Sequence, residues 1–143
     1  MVVDTAVALA KLAAVWATTV TMALSVMIAY TGGIEARSAA RSAARAAAVS
    51  LPPDWTCTEA GTAWSDATTD AAAASGDRLR GSGRLRVLDF SLSVDTATCT
   101  VLASLEALPV TIGWWTGPIR AVGCSPTPAG AGLGLRTVCG QGP

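Results

Sequence analysis

The residue types that commonly carry out catalysis are scarce in this chain, and histidine is absent. Its absence removes the commonest general base and the commonest metal ligand. Lys11 is the only lysine and lies in an apolar stretch, which leaves a Ser–Lys pair without support. No glycine-rich phosphate-binding motif is present. The sequence therefore predicts a protein that is not an enzyme, with no catalytic, metal or cofactor site.

The four cysteines are widely spaced and all follow the long apolar segment: Cys57, Cys99, Cys124 and Cys139. Zinc ribbons and thioredoxin-like sites need close CxxC pairs, so this spacing argues against both. It fits disulfides in an oxidising compartment, and buried free thiols are the alternative. Three pairings exist. We favour Cys57–Cys99 and Cys124–Cys139, because the second would close a loop that has little core.

Three arginines recur at four-residue spacing in an alanine- and serine-rich segment: Arg37, Arg41 and Arg45. Residues at this spacing share one helix face. The stripe either contacts lipid head groups or an acidic face of another subunit, or it is simply a solvated helix face. The small residues between the arginines favour close helix–helix approach, which makes Ala40 and Ala44 candidate assembly positions.

Two further features have competing interpretations. Asp4 and Lys11 are candidate assembly residues, because charges in an otherwise apolar stretch are costly unless they are paired or reach the interface. In an assembly Asp4 would meet the amino terminus of a neighbouring chain; the alternative is that Met1 to Lys11 is solvated at the cytoplasmic surface. Trp114 and Trp115 stand between glycines at a predicted loop tip. They form either a ligand- or membrane-contact patch or part of the packing against the domain's own sheet.

The composition fits a membrane segment joined to a small domain. Of the 143 residues, 51% are apolar and only 14% are charged, against roughly 25% in ordinary soluble domains. The formal net charge is zero, which gives no reason to expect nucleic acid as a partner.

The first 51 residues are predicted to form a long helix. Leu12 to Ile34 contains no charged residue and, at ~1.5 Å per residue, is long enough for a hydrocarbon core of ~30 Å. This length favours a retained anchor over a signal peptide. Pro52-Pro53 ends the helix, while Gly32-Gly33 would end it, kink it or admit a close neighbour.

Residues 52–143 are predicted to form a small domain. Trp64–Ser75 reads as a short helix capped by Ser65 or Thr62 and ended by Gly76. Leu88, Phe90, Leu92 and Val94 alternate with polar residues, and so do Cys99, Val101, Ala103 and Leu105, which predicts two half-buried strands. Shorter strands are expected at residues 109–112, 119–124 and 135–139. The fold class is α+β, with an antiparallel sheet of three to five strands.

The chain resembles the TadE-like minor pilins, or pseudopilins, of the tight-adherence branch of type IV pili. The resemblance rests on the apolar start with its early acid, Asp4, on the alanine/arginine segment 35–49, and on the compact strand region that follows. It implies a precursor cleaved by a prepilin peptidase and a structural subunit that assembles through its amino-terminal helix. It also implies that the early acidic residue docks on a neighbour's amino terminus, a role carried over to Asp4.

The sequence is therefore interpreted as a single-pass protein of the bacterial inner membrane with an extracytoplasmic domain. Its expected partners are other pilin subunits and the pilus assembly machinery, in a homo-oligomer or filament. The arginines after the apolar segment favour a cytoplasmic domain, but the cysteines favour the opposite side, and we follow the cysteines. The alternative function is a monomeric, membrane-anchored binding domain.

Overall fold

The computed structural model describes residues 2–81, 83–110 and 117–129, with side chains from Thr5 onward. The elements in chain order are α1 (Val2–Ser50), α2 (Thr62–Arg80), β1 (Leu85–Asp95), β2 (Thr100–Pro109) and β3 (Ile119–Pro126). The strands form an antiparallel sheet in the order β1-β2-β3. The predicted α+β class, with a long first helix and a shorter second one, is confirmed.

Helix α1 runs without interruption through Gly32-Gly33, so that its 49 residues extend over about 74 Å. Gly32 is buried where the side chains of Leu85 and Ile119 lie over the helix. A Cβ at Gly32 would be 3.1 Å from Leu85 Cδ2 and 3.3 Å from Ile119 Cδ1. The glycine therefore admits a close neighbour and does not end the helix.

Helix α2 is longer than the predicted 64–75 segment, and its predicted caps are wrong. Gly61 is the N-cap and no side chain caps the helix, while Gly76 lies inside it and Gly81 follows its end. Ala67, Ala71, Ser75 and Leu79 are buried at four-residue intervals. This buried stripe continues past Gly76, and its packing outweighs the glycine's cost of about 1 kcal/mol.

In the sheet, the predicted alternation holds along β2 but shifts in β1. Val101, Ala103 and Leu105 are fully buried, as expected for one face of a strand. In β1 the register with β2 shifts between Val87 and Asp89. This irregularity leaves Leu88 52% exposed, which corrects its prediction as a core-facing residue.

The shorter predicted strands have different outcomes. The segment 119–124 belongs to β3, which extends to Pro126. Pro109 is the last residue of β2, and the remainder of the 109–112 prediction is not a strand where the structure describes it. The predicted strand 135–139 lies outside the described residues.

The second half of α1 forms part of the domain core. Near Gly32, its Ala36, Ala39 and Ala40 pack with Leu79 of α2 and with sheet residues Leu85, Leu105, Ala107 and Ala121. Farther along, its buried alanines and Leu51 pack with Trp55, the first half of α2 and the Cys99–Ala103 part of the sheet. The predicted division between residues 1–51 and 52–143 therefore cuts through a continuous packing arrangement.

The sheet approaches the backbone of α1 closely at Gly123 of β3. A Cβ there would be 2.3 Å from the carbonyl carbon of Ala40 and 2.4 Å from the backbone nitrogen of Arg41. Since a real Cβ essentially never comes this close to backbone, the packing requires glycine at this position.

The connection from α1 to α2 is fixed at the opposite end of the domain from Gly32. Cys57 is joined by a disulfide to Cys99, with their Cα atoms 5.4 Å apart. The rings of Trp55 and Trp64 stack with centroids 5.6 Å apart. The Val94 N–H donates a hydrogen bond to Glu59 Oε1 at 2.8 Å. These contacts hold the connection against the end of the β1–β2 hairpin.

Candidate anchoring and assembly surface

The first half of α1 projects from the domain with its apolar side chains uncovered. Over Thr5–Met27 the large apolar side chains are between 47% and 69% exposed. These 23 residues measure about 34 Å, enough for a hydrocarbon core of ~30 Å. Among the described residues, α1 is the helix long and apolar enough to cross a membrane. Its uncovered part begins earlier than the predicted 12–34 span, since Val7 and Leu9 are exposed, and ends earlier because the domain already covers Gly32.

The hydroxyl groups within this apolar stretch are satisfied by the helix itself. Four side chains within it donate hydrogen bonds to carbonyl oxygens three or four residues earlier: Thr18, Thr19, Thr21 and Ser25. Thr31, just beyond it, does the same. A hydroxyl in hydrocarbon has no water to bond, so this internal pairing suits a lipid environment.

Of the two charged residues named from the sequence, Lys11 lies inside the segment Thr5–Met27 and Asp4 directly precedes it. Lys11 is exposed and lies within 4.0 Å of no described carboxylate. Asp4 belongs to α1, but its side chain lies outside the part of the chain that the structure describes. The docking role of Asp4 stays a prediction.

Ala40 and Ala44 are already in contact with the rest of the same chain. Both are 0% exposed. Ala40 packs in the cluster that contains Leu105 and Ala121, and Ala44 packs in the cluster that contains Ala71. The structure thus corrects their prediction as contact positions for a second helix: the small residues here serve packing within the domain.

Arg37, Arg41 and Arg45 lie on the exposed side of this otherwise buried half of α1. Ile34 and Val49, at the two ends of the same stripe, are 53% and 76% exposed. In the described structure none of the three arginines has a carboxylate within 4.0 Å. The stripe is open surface in the single chain, and its contact with lipid or another subunit stays a prediction.

The fold also gathers four arginines at one end of the domain, where Glu35, Asp77 and Asp89 lie too, a feature not predicted from the sequence. Near Gly32 lie the basic residues at the end of α2 and the start of β1: Arg78, Arg80, Arg84 and Arg86. Arg84 Nη1 is 3.6 Å from Glu35 Oε1 of α1. The opposite end contains acidic residues: Asp54, Glu59, Asp66 and Asp95. The signal was available in the sequence, because residues 52–77 contain no lysine or arginine and residues 78–86 contain four arginines.

At the acidic end, Asp95 organises the turn between β1 and β2. Its carboxylate accepts hydrogen bonds from the Thr98 hydroxyl at 2.8 Å and from the Ala97 N–H at 3.0 Å. Both bonds favour the ionised form, so the pKa of Asp95 lies below its usual value. The bond from the Thr98 hydroxyl has the larger effect, followed by that from the Ala97 N–H.

The remaining predicted residues are only partly described. Cys57 and Cys99 form the favoured disulfide. Cys124 is not free, and its predicted partner Cys139 lies outside the described residues. Trp114 and Trp115 lie outside them too. Within the described ranges, no group of three His, Cys, Asp or Glu residues is arranged to hold a metal ion.

Comparison of the chain with protein-family models, with curated proteins and with solved structures found no match. The chain is thus characterised by its own architecture: an α+β domain built around one half of a helix whose other half is long and apolar enough to cross a membrane.

Proposed function

We propose that this protein is a structural subunit anchored in a membrane by the first half of α1, of the kind found in TadE-like minor pilins and pseudopilins. The observation that carries the proposal is the uncovered apolar segment Thr5–Met27, which extends from a domain that has its own packed core. Its length suits a bilayer, and its hydroxyls are paired within the helix.

The proposed mechanism uses the same segment twice. In the membrane its side chains face lipid, and in an assembly they face the equivalent segments of other subunits. The exchange keeps the side chains in apolar surroundings, so it carries no large cost of exposing them to water. The domain is carried on the outside of such a helix bundle, in a tight-adherence-type pilus or a related secretion machine.

The proposed location of the domain is extracytoplasmic. The Cys57–Cys99 disulfide supports an oxidising compartment. Protease added to intact cells is expected to remove the domain and leave the apolar segment protected. Digestion only after cell lysis would place the domain in the cytoplasm instead.

A monomeric, membrane-anchored binding domain is the second candidate, and one observation favours it. Ala40 and Ala44 are fully buried within the chain, so they offer no small-residue surface to a second helix. Assembly would then depend on the segment before residue 28.

Cysteine cross-linking of the full chain in membranes distinguishes the two candidates. Leu9→Cys or Val15→Cys, each on the exposed segment, is expected to form disulfide-linked dimers when an oxidant is added. Thr96→Cys, at the far end of the domain, is the control for random collision. Cross-linking no greater than in this control would reject assembly through α1 and favour the monomeric domain.

A further inference from the structure

We propose that the end of the domain next to the apolar half of α1 rests on the membrane surface and binds the phosphate groups of anionic lipids. This inference rests on the proposed anchoring by α1. The surface, here named the proximal rim, consists of Arg80, Arg84, Arg86, Val87, Leu88 and Val110.

The position of the rim follows from contacts at Gly32. Leu85 at the start of β1 and Ile119 at the start of β3 both lie over this glycine. Leu85 pairs with Pro109 at the end of β2, so all three strands have this end nearest the apolar segment. Gly32 follows Met27 by five residues, a rise of about 7.5 Å along the helix. A bilayer that surrounds Thr5–Met27 therefore has its head groups at the level of the rim.

The rim combines exposed arginines with exposed apolar side chains. The Arg80 and Arg84 side chains are 80% and 59% exposed, and their nearest described carboxylates, on Asp77 and Glu35, are 3.7 and 3.6 Å away. Arg86 has no carboxylate within 4.0 Å among the described residues. The Arg80–Asp77 pair is exposed on both sides and therefore weak, so Arg80 and Arg86 remain able to bind phosphate.

The apolar part of the rim is exposed because of the irregularity in β1. Leu88, at the register shift, is 52% exposed, and Val87 beside it is 40% exposed. Val110, just after β2, is 62% exposed and its N–H donates to the Arg84 carbonyl at 2.7 Å, which fixes it beside the arginines. Basic and apolar groups side by side are the combination that binds a membrane interface.

The arginines favour an anionic partner, and their position beside the apolar segment makes that partner the bilayer surface. The acidic residues Asp54, Glu59 and Asp95 are at the opposite end of the domain, so an anionic surface attracts the rim and repels the far end. The domain is then held upright on the bilayer.

The test uses the full chain reconstituted in two kinds of vesicle: phosphatidylcholine alone, and phosphatidylcholine with phosphatidylglycerol. A polarity-sensitive fluorophore is attached to Leu88→Cys, with Thr96→Cys as the far-end control, and head-group spin labels serve as quenchers. We expect strong quenching at position 88 only, and stronger quenching with phosphatidylglycerol.

The triple variant Arg80→Gln/Arg84→Gln/Arg86→Gln should lower the anionic-lipid preference roughly tenfold or more, on the scale of severalfold per arginine.

A matched variant removes the same charge from the α1 stripe: Arg37→Gln/Arg41→Gln/Arg45→Gln. It should leave the quenching at position 88 unchanged. Equal quenching at positions 88 and 96, or equal loss in the two triple variants, would overturn the rim proposal. Alkaline extraction of the same vesicles separates the two failures: a chain that stays with the lipid but shows no quenching refutes the rim alone, whereas a chain that is extracted refutes the anchor and the rim with it.

Discussion

The two halves of α1 differ in which side chains they expose: the first half exposes large apolar side chains, whereas the second half buries small ones. In the first half, bulky residues such as Leu9, Trp16 and Met22 are 65% exposed or more. In the second half the buried residues are mainly alanines, and Ala36, Ala39 and Ala43 have no exposed surface. A water-soluble helix normally buries its large apolar residues and exposes polar ones. Only the second half can therefore be explained by folding of the chain alone.

The difference shows that only the second half of α1 is covered by the rest of the described structure. The second half needs small residues because the sheet and α2 both approach it closely, down to backbone contact at Gly123. Among the described residues the first half of α1 is not covered by another element, which is why we propose a bilayer or other chains as its partner. Substitutions in one half should therefore leave the property of the other half unchanged.

The largest expected effect is removal of the Cys57–Cys99 disulfide, which fixes the far end of the second half. Its two cysteines are 42 residues apart, and the chain-entropy relation gives a loss of about 4 kcal/mol. Cys57→Ala/Cys99→Ala should lower the free energy of unfolding by this order, measured by near-ultraviolet circular dichroism of the full chain in detergent. Membrane retention should not change. An unfolding midpoint equal to that of the wild type would show that packing alone holds this end.

The next effect concerns the first half. Val15→Arg places a charge near the middle of the exposed segment and should cost about 3 kcal/mol of membrane insertion. The matched control is Val49→Arg, the same change on the exposed side of the second half, where Val49 is 76% exposed. We expect Val15→Arg to increase the alkali-extractable fraction and Val49→Arg to leave it unchanged. Equal extraction of both variants would contradict separate roles for the two halves.

A third effect tests the backbone contact of the second half. Gly123→Ala places a methyl group where the Ala40 carbonyl carbon would be 2.3 Å away, so β3 must move off α1. We expect a loss of about 2 kcal/mol in the free energy of unfolding, on the scale of other overpacked cores. Gly117→Ala, which has no atom within 4 Å of the added methyl, is the matched control. Equal stability of the two variants would mean that the contact is not needed for the fold.

The sequence predicted the elements better than it predicted their partners. The end of α1 before Pro52 and the alternation along β2 are local patterns, and both were predictable. The small residues around Ala40 were assigned to another chain, because alanine favours close packing whatever the origin of the partner. Only the pairing with Gly123 and with Ala67 and Ala71 of α2 shows that the partner is internal.

Two other features depend on contacts between distant residues. Leu88 fits the alternation of β1, but its exposure follows from a register shift that arises only when β1 pairs with β2. The arginines come close to Gly32 only because α2 runs back along α1, so that Leu79 packs with Ala36. The clustering of arginines in residues 78–86 was visible in the sequence, but their position beside the apolar segment was not.

The smallest expected effect lies at the acidic end of the domain, in the turn after β1. The pKa of Asp95 is lowered in the folded protein by bonds from Thr98 and Ala97, so the unfolded chain takes up a proton more readily there. The stabilisation is complete above the unfolded value of 3.8 and is lost as the pH falls through the lower folded pKa. Asp95→Asn should therefore be less stable than the wild type at neutral pH and approach it at acid pH, measured by thermal unfolding of the full chain across this range. A difference that did not depend on pH would show that the carboxylate charge has no part in holding the turn. Because the turn is distant from Thr5–Met27, membrane extraction of the variant should match that of the wild type at every pH.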